Sequence, residues 1–365
     1  MFFRSSIFSF LLIIFSILSA NSSAVAQEVS PTASRASELL VDVQWLAQNN
    51  NADEVRLISL GQTAKEYRAG HIANAVFVDW KTQISDQTHK DLFNLPPQEN
   101  VESLLSNLGV TPEMTVVISD NRSNRISTRL FWTLKSFGHT NIKILDGGVK
   151  AWQRAGKQLT TSIVSIEPTV YKVAPESKGL AAENIADTPS VKNSIGKGVV
   201  LIDGRPEPQY TGAEPGIAFH TNKPHKRLGH IESAISIPWK ANFTEDGEFK
   251  SVEELRAIYA EAGVTRDQHI VTYCNEGLHA APTWFVLKEL LGFPNVLRRF
   301  DGRVGEPVRH TDGADRKDVG LMDRRRGNGF SRDANRATDR SARFIVLPSE
   351  SRKISLNYLF SSAII

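Results

Sequence analysis

Short, almost wholly apolar runs alternate along this chain with longer stretches of helical period. Val55-Arg56-Leu57-Ile58-Ser59-Leu60 is such a run, and it recurs as Val199-Val200-Leu201-Ile202-Asp203. Thr115-Val116-Val117-Ile118-Ser119 recurs as His269-Ile270-Val271-Thr272-Tyr273, and Ile142 to Leu145 recurs as Val296 to Phe300. Runs of this length, apolar on both faces, predict strands covered from both sides. Between them, Thr128 to Phe137 and Thr283 to Leu291 have helical spacing. In the second, Trp284, Phe285, Leu287, Leu290 and Leu291 form the apolar face, with Lys288 and Glu289 off it. Strands separated by helices, at intervals too long for hairpins, predict an α/β fold: two tandem domains, each a small parallel sheet flanked by helices.

The repeat fixes the domain limits. Gly70-His71-Ile72, Ala75 and Trp80 return at the same spacing as Gly229-His230-Ile231, Ala234 and Trp239. Gly138 lies 18 positions after Asp120, and Gly292 lies 18 positions after Cys274. Domain one is placed at 38–161, a linker with Pro168 and Pro175 at 162–178, and domain two at 179–303. Because the two copies share His71 and His230 but not the cysteine, these histidines are expected to be structural.

The two ends differ from this pattern. Arg4, an apolar stretch from Ile7 to Leu18 and Ala24-Val25-Ala26 match a secretory signal at 1–26, cleaved after Ala26. Export to a periplasmic or extracellular space is the expectation, with no membrane association after cleavage. Residues 304–365 are rich in arginine and aspartate, include Arg324-Arg325-Arg326 and lack a period, which predicts a disordered or aberrant tail.

A net charge of +3 over 365 residues gives no case for a nucleic-acid partner. A single cysteine, Cys274, excludes an intramolecular disulfide. Cys274 follows directly on a strand, in the loop Asn275-Glu276-Gly277-Leu278-His279-Ala280 that leads into a helix. Ligands in open α/β sheets bind at this end of a strand. Inward-turned N–H groups and the helix N-terminus would favour the thiolate, the nucleophilic form. The basic stretch of His220, Lys223, His225, Lys226 and Arg227 would steer anions, or simply be solvated.

Tyr273 to Gly292 resembles the active-site loop and helix of the rhodanese family. Gly229-His230-Ile231…Ala234 resembles the motif ahead of it, and Asp203-Gly204-Arg205 the family's Asp-x-Arg strand end. The duplication is similar to tandem-domain thiosulfate and 3-mercaptopyruvate sulfurtransferases, whose first domain is inactive; here Asp120 stands at the cysteine position. The resemblance implies that Cys274 takes sulfane sulfur from a small anionic donor, becomes a persulfide and passes the sulfur to cyanide or a thiol. A protein sulfur acceptor fits as well. It implies no cofactor and no metal. Arg205, Asn275, Glu276, Gly277, Leu278 and His279 are expected to bind substrate, with Asp203 structural beside them.

Three departures stand out. Glu276 is acidic where thiosulfate-specific relatives carry basic residues, and a protonated His279 would offset it. Gln209 replaces a basic residue. Arg303-Val304-Gly305 follows Asp301-Gly302 where the family continues with tryptophans, as a shifted reading frame would produce. A non-turnover persulfide carrier or redox-sensing binding protein is the main alternative. A Cys-x5-Arg phosphatase or arsenate reductase is disfavoured because Ala280 occupies the arginine position. A purely structural protein would make Cys274 dispensable.

Overall fold

The computed structural model describes residues 31–299 apart from 87, 89–93, 178–179, 219–221 and 226–227. The signal segment, the tail, the segment Asp301 to Arg303, and His220, Lys226 and Arg227 lie outside the described residues.

Two five-stranded parallel sheets form. In the first, β1 (Leu40–Val41), β2 (Val55–Leu60), β3 (Val76–Phe77), β4 (Thr115–Asp120) and β5 (Ile142–Leu145) take the order β1-β5-β4-β2-β3. In the second, β6 (Ile185–Ala186), β7 (Val200–Asp203), β8 (Ile235–Ser236), β9 (Ile270–Tyr273) and β10 (Val296–Arg299) repeat it as β6-β10-β9-β7-β8. The three central strands of each sheet are those expected from the apolar runs. The edge strands are pairs of residues too short to carry a period, and they leave little unpaired edge.

The repeat extends to side chains around the first turn. His71 Nδ1 lies 2.7 Å from the carbonyl of Tyr67 and stacks on its ring, while Tyr67 donates to the carbonyl of Ala75. His230 Nδ1 lies 2.9 Å from the carbonyl of Tyr210 and stacks on it, while Tyr210 donates to the carbonyl of Ala234. The same structural clip thus serves both copies.

The helix after β4 spans Arg125–Ser136, starting earlier than its apolar period suggests, because a carboxylate organises its first turn (below). The helix after Cys274 likewise starts early, at Ala280. It accommodates Pro282 in its first turn, where no helical N–H is needed, and continues as a π-helical stretch over Phe285–Leu290.

These two helices hold the halves together. Lys135 Nζ lies 3.0 Å from Glu289, and Arg125 Nη1 lies 2.9 Å from His279 Nε2; both pairs are 154 residues apart. Phe131 and Phe285, which have the same separation, meet edge to face at 4.8 Å. Equivalent residues therefore meet at several levels. The helices run side by side in the same direction, about an approximate twofold axis along their length. Glu289 is consequently buried, not solvated as a polar face would suggest, and Arg35 also binds it at 3.1 Å. One apolar cluster, including Phe131, Trp132, Trp284 and Phe285, runs through both domains.

Candidate active site

The site lies at the carboxyl end of β9. Cys274 follows the last strand residue and is 4% exposed, so its sulfur reaches solvent only marginally. Gly277 takes φ +77°, which turns the loop back on itself. The His279 N–H then points at Cys274 Sγ from 3.2 Å. The N–H groups of Ala280 and Glu276 also favour the charged sulfur. Burial acts the other way and is the larger effect, so the thiol is pushed up despite the N–H cradle. The loop N–H groups favour the thiolate as expected; the opposing burial was not legible in the sequence.

Domain one shows the same cradle filled by a permanent anion. Asp120 Oδ1 accepts from the N–H of Arg122 at 2.7 Å and of Asn124 at 3.0 Å. Its Oδ2 accepts from Ile126 and Ser127, both at 2.8 Å. Four backbone donors converge on one carboxylate, the arrangement a persulfide requires in the other copy.

Asp203 and Arg205 form a buried pair. Arg205 donates from Nε to Asp203 Oδ1 at 2.9 Å and from Nη2 to Oδ2 at 2.6 Å. Its remaining contacts are the carbonyl of Gly229 at 2.7 Å and Asn275 Oδ1 at 3.3 Å. Asn275 in turn donates to Gln209 Oε1 at 2.9 Å. Gln209 thus has a geometric use: it clamps the first loop residue from the side opposite Arg205. Gly216 approaches so closely that a Cβ there would fall 2.0 Å from Asn275 Nδ2. Leu278 packs into the shared core, and Glu276 is buried at 4% exposure.

His279 differs most from expectation. It stacks on Trp239 with centroids 5.6 Å apart and planes 6° off parallel. Burial, then the charges of Arg125, Arg205 and Lys240, hold its pKa down to about 3. The ring is neutral at physiological pH and carries no charge to offset Glu276. A positively charged His279 is disfavoured, because Arg125, Arg205 and Lys240 already place positive charge around it.

Arg125, unlike Arg205, is a residue that sequence reasoning missed, as are Arg129 and Arg298. Arg125 comes from domain one, with its guanidinium 5.2 Å from the centre of the Trp239 ring. Arg129, also from domain one, is fully buried and donates to the carbonyls of Asn94 at 3.2 Å and Ile84 at 3.4 Å. Arg298 of β10 is fully buried and holds the Gly277 carbonyl from Nη2 at 2.8 Å and Nε at 3.2 Å. It also lies 4.0 Å from the centre of the Trp132 ring. The repeat offset carried a usable signal: it sets Arg125 level with His279 across the two copies. Nothing in the chain indicated that those helices face one another.

A buried cysteine in an N–H cradle, ringed by arginines, on a duplicated parallel-sheet domain decides the family. The chain belongs to the rhodanese-like family. The Rhodanese-like domain model matches at 42–155 and again at 187–303. A Saccharopolyspora erythraea protein named "Putative thiosulfate sulfurtransferase" is 35% identical over 267 residues, 73% of this chain and 91% of that protein. The sulfur carrier protein TtuD of Thermus thermophilus is 33% identical over 267 residues, 73% of this chain and 92% of that protein. Among solved structures, SseA of Escherichia coli, described as a 3-mercaptopyruvate sulfotransferase, superposes with a TM-score of 0.61 at 28% identity. That match covers 73% of this chain and 99% of SseA. Persulfide sulfur transfer is the rhodanese chemistry that this site supports, and the chain is a sulfurtransferase.

Proposed function

We propose that this rhodanese-like protein is exported and moves sulfane sulfur from thiosulfate or 3-mercaptopyruvate to cyanide or a thiol through a Cys274 persulfide. The observation that carries the reading is Cys274 Sγ at 3.2 Å from the His279 N–H, in the cradle that holds a carboxylate in the other domain. The Cys274 thiolate attacks the outer sulfur of thiosulfate. The S–S bond breaks and its electron pair leaves with sulfite. With 3-mercaptopyruvate, the C–S bond breaks, and the three-carbon enolate departs and takes a proton to become pyruvate. Either route leaves Cys274–S–S⁻, whose negative charge the converging N–H groups offset. Cyanide or an acceptor thiolate then attacks the outer sulfur, and the Cys274 thiolate is restored.

The flanking arginines and the neutral His279 suit an anionic donor. A protein thiol qualifies as acceptor, in line with the sulfur-carrier name of TtuD. The alternative of a carrier that loads sulfur but turns over no small donor is favoured by one feature, an acidic residue, Glu276, buried in the loop after Cys274, which when ionised disfavours dianions. Arg4, the apolar run from Ile7 to Leu18 and Ala24-Val25-Ala26 support export.

Intact mass of the purified protein after each donor is the direct test. A gain of about 32 Da on the wild type but not on Cys274→Ala, erased by cyanide with release of thiocyanate, is expected. Repeated thiocyanate release with a small donor separates transferase from carrier. The absence of sulfur uptake by folded protein would overturn both. For export, the mature chain purified from the producing cell is expected to begin at Gln27; retention of the first 26 residues would overturn that part.

A further inference from the structure

Burial should keep Cys274 protonated, yet the proposed chemistry needs its anion, so the fold has to supply a compensating charge. The N–H groups of the loop contribute. Several charged groups face the site, and Arg125 and Arg205 also favour a charged Cys274. Asp203 and Arg205 neutralise one another at 2.6 Å, His279 is neutral, and the buried Glu276 is acidic. Tyr273 is buried and its hydroxyl is held protonated. Lys240 and Arg125 sit around Trp239, on the His279 side.

Two other guanidiniums converge on the turn of the loop. A Cβ on Gly277 would fall 2.0 Å from Arg298 Nη2 and 3.5 Å from Arg129 Nη1, so both flank the same glycine. Both side chains are completely buried, and both lie over the Trp132 ring, at 4.0 and 4.9 Å from its centre. Arg298 uses Nε and Nη2 on the Gly277 carbonyl, while its Nη1, equally buried, has no hydrogen-bond partner among the described residues. Two buried like charges this close to one another destabilise each other, and an anion beside them relieves that cost. Burial, then the like charge of Arg298, pushes Arg129 well down, and burial pushes Arg298 down to about 9. A charged Cys274 opposes both effects.

We propose that Arg129 and Arg298, one from each domain, are the counter-ions of the Cys274 thiolate and persulfide, so that the domain without a cysteine sets the charge of the sulfur in its partner. Both are positioning residues, acting through Cys274. The inference rests on the sulfur-transfer reading for its purpose, but its test does not depend on turnover.

The test is the pH profile of iodoacetamide alkylation, read by intact mass on the full chain, where Cys274 is the sole cysteine. In Arg298→Met and Arg129→Met the alkylation midpoint is expected to rise by about one unit, making labelling at neutral pH about tenfold slower. Arg298→Lys should restore part of the shift. A merely structural role would leave the midpoint unmoved, and an unchanged midpoint in folded variants would overturn the proposal.

A second pair leaves the arginines intact. Cys274→Asp puts a carboxylate in the cradle as Asp120 does, and Cys274→Asn is its neutral counterpart. Cys274→Asp is expected to melt above Cys274→Asn at neutral pH. Melting at or below it would mean that the cations do not serve an anion at this position. Normal alkylation shifts in a protein that takes up no sulfur would sink the transfer reading and leave this one standing.

Discussion

Arg125 Nη1 and His279 Nε2 lie 2.9 Å apart across the domain boundary. Arginine offers only N–H donors, so this ring nitrogen must accept, which puts the imidazole proton on Nδ1 and makes the ring neutral. One contact thus fixes the tautomer of a loop residue and ties the loop after Cys274 to the other domain.

His279 should therefore not titrate in the usual histidine range. With its pKa held at about 3 by burial and then by Arg125, Arg205 and Lys240, its ring resonances are expected to stay constant from pH 8 to about pH 4.5. Arg125→Ala should move the midpoint upward. The stability linkage follows from the sign of the shift. The unfolded chain binds this proton more readily, so the contribution is complete above the ordinary histidine value and is lost as pH falls towards 3. A His279 titration near 6.5 in the folded wild type would refute the assignment.

Asp146 carries the opposite sign. Its Oδ1 accepts from the Phe249 N–H of domain two at 2.9 Å and from Asn124 Nδ2 at 3.2 Å. Burial, with Glu248 adding repulsion against the pull of the Phe249 and Gly147 N–H groups and of Arg154, raises it to about 6. The folded protein holds this proton more tightly than the unfolded chain. Its contribution is complete below the ordinary aspartate value and is lost as pH rises through 6. Asp146→Asn keeps an acceptor for both donors without the charge. It is expected to match the wild type near pH 4 and to melt higher at pH 7.5, by a few degrees. Thermal melts at the two pH values check this; a lower melting point for the variant at pH 7.5 would count against it.

The glycines of the two helix turns should behave differently on substitution. Gly277 and Gly292 have φ of +77° and +70°, so alanine is strained at either, at a cost on the order of 1–3 kcal/mol. Only at Gly277 would the new Cβ also strike a guanidinium, Arg298 Nη2 at 2.0 Å; at Gly292 nothing lies within 4 Å. Gly292→Ala is expected to lower stability while sparing sulfur uptake. Gly277→Ala should lower both, as the loop is displaced from its arginine. Chemical denaturation beside persulfide yield separates the two outcomes.

Much of this architecture is legible in the chain, because central strands such as β2 and β9 are buried on both faces and read as apolar runs. Cys274 was legible for a related reason: a βα unit places the residue after its strand at the mouth of the sheet. What could not be read is whatever depends on one half facing the other. Arg129 lies in an apolar-looking helix of the domain without a cysteine, and Arg298 in a strand whose Val296 and Leu297 pack in the core. Glu289 looks like a solvated helix residue until Lys135 and Arg35 are brought to it. Local periodicity carries each element but not the pairing of two copies about an axis. Gln209 illustrates a second limit, since its value as a clamp on Asn275 depends on a loop path that no motif encodes.

A cysteine placed at position 120 should not give domain one the ability to load sulfur. Asp120 is 1% exposed and takes four backbone N–H bonds, so replacing it removes a charged acceptor from donors that have no water to turn to. Bonds to charged groups contribute about 1.5–3 kcal/mol each without adding fully, so Asp120→Cys is expected to cost at least ~3 kcal/mol. The mouth of this cradle is also covered. Asn124 Nδ2 reaches the Gly247 carbonyl at 3.3 Å, and a Cβ on Gly247 would sit 3.1 Å from Ser123 Oγ. A turn of domain two thus lies where a donor would have to enter. In a Cys274→Ala background, Asp120→Cys should take up no sulfur from thiosulfate or 3-mercaptopyruvate and should melt well below its parent. A gain of about 32 Da on that double variant would show that the cradle alone, without an open mouth, suffices for loading.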